Sequence, residues 1–155
     1  MCWMCENPGS TKQDYLDQFR TKMLKHGWAL QYVESDRNPY AYTLGLHDRG
    51  LPELLVTGVS PQRAARLLNR LAERAVDGKL PTPGEQIALR AGPLIEIVEV
   101  ERPDAHMDTA VAFYGCEFRA MQLVWADGQG RWPWDAGFGG RRGGQPVLGV
   151  RATSD

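Results

Sequence analysis

The sequence predicts a single α+β domain in which a mixed, mostly antiparallel sheet is accompanied by two main helices and one short helix. Apolar residues recur at helical spacing in two segments and alternate with small or polar residues in several shorter ones, and the two kinds of segment interleave. Of the 155 residues, 43% are hydrophobic. A chain of this length and composition can bury a core without disulfide or metal crosslinks.

The first half of the chain predicts a helix followed by a β-hairpin. Ser10 and Gln13 have the spacing of a capping box, Gly27 follows the last turn, and the helix is predicted over residues 11–25. Strands are predicted over residues 28–32 and 40–46, with a polar turn between them. The second strand has a small face, which predicts close approach of a packed helix or, alternatively, of a ligand: Ala41, Thr43 and Gly45.

The middle of the chain contains the clearest helix. Ser60 and Pro61 fit its N-cap and first helical position, and Gly78 ends it. A buried strand is predicted before it, over residues 53–58, and a loop-rich link after it, over residues 80–92. The next strand is predicted over residues 94–101, with a bulge between Ile97 and Val98 that would keep its apolar side chains on one face.

The last predicted elements are a short helix that begins at Asp108, a strand over residues 118–126 and an edge strand over residues 147–150. The domain is therefore predicted over residues 10–151, with an irregular arm at residues 1–9 and a tail at residues 152–155. Exposed strand edges make a homodimer plausible, although no motif specifies one.

Charge and targeting signals restrict the class of protein. The chain has 18 Lys and Arg residues against 19 Asp and Glu residues, a formal net charge of −1, which argues against a nucleic-acid or membrane-surface binder. Neither a signal peptide nor an apolar run of about 20 residues is present, and three cysteines cannot all pair within one chain. A cytoplasmic protein is therefore expected.

Two groups of residues are candidates for catalysis or metal binding. Cys2 and Cys5 form a Cys-x-x-Cys pair that would suit zinc or redox chemistry, but the sequence lacks a second such pair, so an arm without special chemistry is favoured. His47 lies at a strand end, where Glu53 could orient it, and His106 lies between two carboxylates. The two histidines could share a metal with a carboxylate, whereas a loop histidine and a capped helix start are the simpler interpretations.

A segment rich in Gly, Arg and Trp is the strongest candidate for ligand binding. Eight of the 17 glycines lie within residues 128–149, where arginines could grip anions and tryptophans offer stacking faces. The alternative is that the tryptophans cover the core edge and the loop is only solvated. The residues predicted to bind ligand are Tyr42, Gln122, Asp127, Arg131, Trp132, Trp134, Arg141 and Gln145.

Four arginines form a basic stripe on the second helix. Arg63, Arg66, Arg70 and Arg74 share one helical face, and they are interpreted as its solvated side.

Five motifs occur in this order along the chain: PYAYTLGL (39–46), GLPEL (50–54), QLVWAD (122–127), GRWPW (130–134) and QP (145–146). Together they resemble a known bacterial family, the domain of unknown function 4262, which is common in actinobacteria and their phages, and the likeness extends over residues 13–148. The resemblance implies a single domain and no agreed activity. It places six residues in motif blocks: His47, Glu53, Asp127, Trp132, Trp134 and Gln145. Leu51 stands where many members have histidine, which weakens a mechanism that needs histidine there.

Three functions follow as hypotheses. The first is a small-ligand or partner-binding regulatory domain with a groove between residues 47–53 and the Gly/Arg/Trp segment. The second is a small enzyme that uses His47 or His106 as acid or base, with or without a metal. The third is an immunity-like or phage-related interaction protein. No cofactor is predicted beyond the weak zinc candidate.

Overall fold

The computed structural model describes Gly9 and residues 11–35, 38–139 and 144–152, and a six-stranded sheet forms its centre. The strands are β1 (Ala29–Val33), β2 (Tyr40–Leu44), β3 (Glu53–Thr57), β4 (Gln86–Ala88), β5 (Leu94–Glu99) and β6 (Ala120–Trp125). Their order is β1-β2-β3-β6-β5-β4, and only the β3–β6 pair is parallel. The predicted mixed, mostly antiparallel sheet is confirmed.

Within the described residues, three helices accompany the sheet: α1 (Lys12–His26), α2 (Pro61–Val76) and α3 (Asp108–Tyr114). The capping box of α1 lies one residue later than predicted, because Thr11 and Asp14 exchange the hydrogen bonds assigned to Ser10 and Gln13. Ser10 lies outside the described residues. Two short 3₁₀ helices are also present, His47–Arg49 and Pro103–Ala105. No helix in these described ranges is long and apolar enough to span a membrane.

The sheet separates two apolar layers. On one face, α2 packs Leu67, Leu68 and Leu71 against the sheet, with Ala41 from the small face of β2. This contact confirms the packed-helix interpretation of that small face. On the other face, α1 and α3 contribute Phe19 and Ala110 to a second cluster. Both faces of the sheet are therefore covered.

Covering both faces removes the need for the predicted bulge. Strand β5 pairs with β6 without interruption from Ile95 to Glu99, so Ile95 and Ile97 join the α2 layer while Glu96 and Val98 point to the opposite face. The prediction of one apolar face was wrong, because Glu96 is buried there with an arginine as its partner. The exposed fraction of Glu96 is only 3%.

One further strand was not predicted, and one predicted strand was wrong. Strand β4 lies inside the link that was predicted to be rich in loops. Residues 147–150 form no strand; they belong to an irregular segment, residues 144–152, which we call the C-terminal strap. The strap cannot pair as a strand at Leu148, because the N–H of that residue donates to the side-chain Oε1 of Gln122 at 2.8 Å.

Candidate functional site

Glu53, a predicted catalytic candidate, lies at the start of β3 and is completely buried. The backbone N–H groups of Gly45, Leu46 and His47 converge on its carboxylate at 3.0, 3.2 and 3.3 Å. Gly45 suits this position because its φ is +117° and a Cβ would lie 3.3 Å from backbone atoms of Gly27 and Trp28. The carboxylate therefore holds the turn that follows β2.

Two hydroxyl groups complete the surroundings of Glu53. Thr43 Oγ1 donates to Glu53 Oε1 at 2.7 Å and accepts from the N–H of Leu54 at 2.8 Å, while the Tyr114 hydroxyl also donates to the carboxylate. Burial raises the pKa of Glu53, and these hydrogen bonds oppose that change. Burial and the neighbouring carboxylate also raise the pKa of Tyr114.

The catalytic roles of His47 and His106 stay predictions, and the structure shows what each residue contacts. Glu53 accepts from the backbone of His47, and the imidazole packs against the Tyr114 ring with 4.4 Å between centroids. His106 is engaged through its backbone carbonyl, which accepts from the Tyr40 hydroxyl at 2.6 Å. Within the described ranges, no three His, Cys, Asp or Glu residues are grouped to hold a metal ion. Cys2 and Cys5 lie outside those ranges, so the zinc hypothesis stays a prediction.

Asp127 organises the loop that follows β6. Its Oδ1 accepts from the backbone N–H groups of Gln129 and Arg131 at 2.9 and 2.8 Å. Its Oδ2 accepts from the N–H of Gly139 at 2.6 Å and from Arg131 Nε at 3.2 Å. Desolvation raises the pKa of the carboxyl, but the hydrogen bonds from Arg131, Gly139 and Gln129 outweigh it and lower the pKa to about 2.

We expect Asp127→Asn to destabilise the protein in a pH-dependent way. Because the folded-state pKa is about 2 against 3.8 for a free side chain, the ionised carboxylate stabilises the fold above pH 3.8. That contribution is lost as the pH falls through 2. In thermal unfolding between pH 2 and pH 5, the midpoint temperature of the wild type should exceed that of the variant at pH 5. The two midpoint temperatures should converge towards pH 2. A constant difference over this range would contradict the assignment.

The two tryptophans of the Gly/Arg/Trp segment form a stack with the C-terminal strap. The rings of Trp132 and Trp134 are nearly parallel with centroids 5.4 Å apart, and the Arg151 guanidinium lies 3.8 Å from the centre of the Trp134 ring. Arg151 also donates to both oxygens of Glu96, at 2.8 and 3.1 Å. The buried charge of Glu96 is thereby paired, and the strap is fixed to the sheet.

Three other predicted ligand-binding residues are buried in hydrogen-bonded positions. Gln122 donates to the carbonyl oxygen of Pro146 at 2.7 Å, and Gln145 bonds both the N–H and the C=O of Trp125 at 2.9 Å. Tyr42 accepts from the N–H of Thr109 at the start of α3. Arg141 lies outside the described residues. The ligand contacts of all these residues stay predictions.

In the part of the chain that the structure describes, residues 47–53 and the Gly/Arg/Trp segment do not form the predicted groove. Glu53 pairs with Ala120 in the parallel β3–β6 ladder, so the 47–53 loop lies where β6 begins. Asp127 follows the other end of β6, seven residues further along, or about 23 Å at the rise of an extended strand. The parallel pairing therefore puts the two segments at opposite ends of the sheet.

A different cleft, which sequence reasoning missed, lies beside the Asp127 loop. One wall is α2, the second is the turn of residues 91–94, and the third is the chain of residues 126–130; the volume is about 820 Å³. Three arginines of α2 line it, and we call it the arginine cleft: Arg63, Arg66 and Arg70. The signal was present as the arginine stripe, but only the tertiary structure shows that loops rise on both sides of it.

Fold and site together define a single-domain α+β protein with a buried carboxylate at one end of its sheet and a basic cleft at the other. Residues 22–139 match the family described as Domain of unknown function (DUF4262), and the chain belongs to that family. No curated protein and no solved structure matches the chain.

Proposed function

We propose that this protein is a binding domain that takes a small anion with an apolar part into the arginine cleft. The observation that carries the proposal is the uncompensated charge of the cleft. Asp127 is the one acidic residue among its lining residues, and both of its oxygens are held within its own loop. Three guanidinium groups thus face a cleft that offers them no free carboxylate, and such a site favours an anionic ligand.

Two of the arginines are held in place before any ligand arrives. Arg70 Nη1 donates to the carbonyl oxygen of Arg90 at 2.7 Å, and the Arg63 guanidinium lies 5.0 Å from the centre of the Trp125 ring. Arg66 is exposed and forms no ion pair with any described residue. Because Arg63 and Arg70 are already held in place, they lose less conformational entropy on binding than free side chains.

The apolar part of the ligand is inferred from the remaining walls. Leu67, Pro93 and Leu94 line the cleft, and Leu94 is 38% exposed. The loop of residues 126–130 brings glycine backbone close to the same space. In this proposal the start of the Gly/Arg/Trp segment supplies one wall of the cleft.

We expect an organic anion to stabilise the wild type and Arg66→Ala to reduce that effect. Phosphate, adenosine monophosphate and octanoate serve as probes in thermal unfolding and calorimetric titration. Binding by at least one organic probe should weaken about tenfold in Arg66→Ala, as expected for loss of one charged hydrogen bond. Because Arg66 has no partner among the described residues, this variant should fold normally.

Arg102→Ala is the matched control. The side chain of Arg102 is 78% exposed, pairs only with Asp104 and lies outside the cleft. Its loss should leave affinity within about twofold of wild type, because exposed charges contribute little at a distance. Absence of any stabilisation by the three probes, or equal loss of affinity in the two variants, would refute the proposal.

A further inference from the structure

A second surface, which shares no lining residue with the arginine cleft, lies where the C-terminal ends of α1 and α2 meet the 3₁₀ helix His47–Arg49. It consists of two adjoining hollows of about 760 and 340 Å³, and Arg49 lines both of them. The larger hollow lies between α1 and α3, and the smaller one lies beside the end of α2. We call the pair the helix-end surface.

Exposed apolar side chains are concentrated on the helix-end surface. Five large hydrophobic residues are exposed in the described part of the chain, and three of them line these hollows: Leu24, Val76 and Leu80. Leu24, in the last turn of α1, is 84% exposed. A group of exposed apolar side chains, unlike a single one, indicates a surface that is covered by a partner.

The charge of the larger hollow selects the kind of partner. Arg20, Lys25 and Arg49 line it, against Asp48 as its one lining acid. The Arg20 guanidinium also lies 5.5 Å from the centre of the Phe113 ring, so a basic group and an aromatic face meet on one wall. Some of this charge complements the carboxyl end of α1, but Arg20 and Arg49 lie outside its last turn.

We infer that the helix-end surface docks an acidic polypeptide segment that carries apolar side chains. Such a segment would place carboxylates near Arg20, Lys25 and Arg49 and apolar groups on Leu24 and Leu80. A second copy of this chain is a poorer fit, because two surfaces with the same excess of positive charge repel each other. A small anion would fill one hollow and leave the other apolar patch exposed.

The test uses three short fluorescein-labelled peptides in an anisotropy titration at low salt. One alternates glutamate with leucine and phenylalanine, the second replaces glutamate with lysine, and the third replaces the apolar residues with serine. The first peptide should bind the full-length protein in a saturable way, at least about fivefold more tightly than either of the others. Added salt should weaken it, because the charges are exposed.

Leu24→Ser and Val150→Ser form a matched pair of variants. Both residues are exposed, at 84% and 72%, so neither substitution should disturb folding, which circular dichroism will check. Leu24→Ser should weaken binding of the first peptide at least about fivefold, whereas Val150→Ser should leave it within about twofold.

Three results would overturn the inference: no saturable binding of the first peptide, equal binding of all three peptides, or equal binding by Leu24→Ser and wild type. Analytical ultracentrifugation supplies a further check. A wild-type dimer that Leu24→Ser converts to a monomer would assign the surface to a second copy instead.

Discussion

Replacing Glu53 with alanine is expected to lower the free energy of unfolding by about 3–5 kcal/mol, because several buried donors lose an acceptor at a cost of about 1–3 kcal/mol each. The substitution leaves the N–H groups of Leu46 and His47 without their acceptor inside the protein, whereas the Gly45 N–H keeps the Tyr114 hydroxyl as an acceptor at 2.7 Å. It also removes the acceptor of the Thr43 hydroxyl. Urea denaturation at neutral pH measures the loss. The dependence of the free energy of unfolding on urea concentration should be the same in wild type and variant.

Glu99→Ala is the matched control for this prediction. Glu99, like Glu53, is a hydrogen-bonded carboxylate, but its donor is Arg119 at 2.8 Å and its side chain is 42% exposed. An exposed pair contributes at most about 1 kcal/mol, so this variant should unfold close to wild type. The stability of Glu53→Gln should fall between those of the two alanine variants. The amide oxygen can accept some of the hydrogen bonds, but the amide NH₂ group faces the remaining donors and cannot accept from them. Equal stability of Glu53→Ala and Glu99→Ala would show that the buried carboxylate does not hold the turn.

Gly149→Ala is expected to lower the free energy of unfolding by about 1–3 kcal/mol, the range for overpacking a close contact. A Cβ at this position would overlap the carbonyl oxygen of Glu99 and lie 3.2 Å from Val98 Cγ1. Since a backbone atom cannot move aside as a flexible side chain does, the strap has to shift away from β5. The bond from the Glu101 N–H to the Leu148 carbonyl, 2.8 Å long, should weaken with it.

Gly128→Ala is the matched control for Gly149→Ala. Gly128 lies in the loop after β6, where a Cβ would have no heavy atom of another segment within 4 Å, and its backbone is not left-handed. Its substitution should change the free energy of unfolding by less than about 0.5 kcal/mol. Amide hydrogen exchange will separate a local effect from a global one: in Gly149→Ala the N–H groups of Glu101 and Leu148 should exchange faster than in wild type. Unchanged exchange at both positions would contradict the steric explanation.

Most helices and strands could be predicted because their signals are local. Ser60 and Pro61 mark the start of α2, as they do in the structure, and the apolar stripe of α2 is buried as expected. The β1–β2 hairpin follows from alternation and a polar turn, and its antiparallel register is regular. Strand β4 was missed because it has only three residues, with one buried side chain among them.

The candidate site was less accessible to sequence reasoning. Glu53 and His47 were selected together correctly as neighbours, but the sequence could not show that the carboxylate binds backbone N–H groups and that the imidazole packs on Tyr114. The arginine stripe was interpreted as a solvated face, because its spacing describes the helix and not the loops beside it. Those loops are about 20 to 60 residues further along the chain.

By itself the sequence determined the fold class, the family and most element boundaries, because helical and extended periodicity, caps and turns act between residues a few positions apart. Only the tertiary structure decided which partners the buried polar side chains contact. Glu96 and Arg151 are 55 positions apart and Gln122 and Pro146 are 24 apart, yet each pair is in direct contact. Burying a polar side chain costs free energy unless it forms hydrogen bonds. Whether it finds a hydrogen-bond partner depends on which distant segment of the chain covers it.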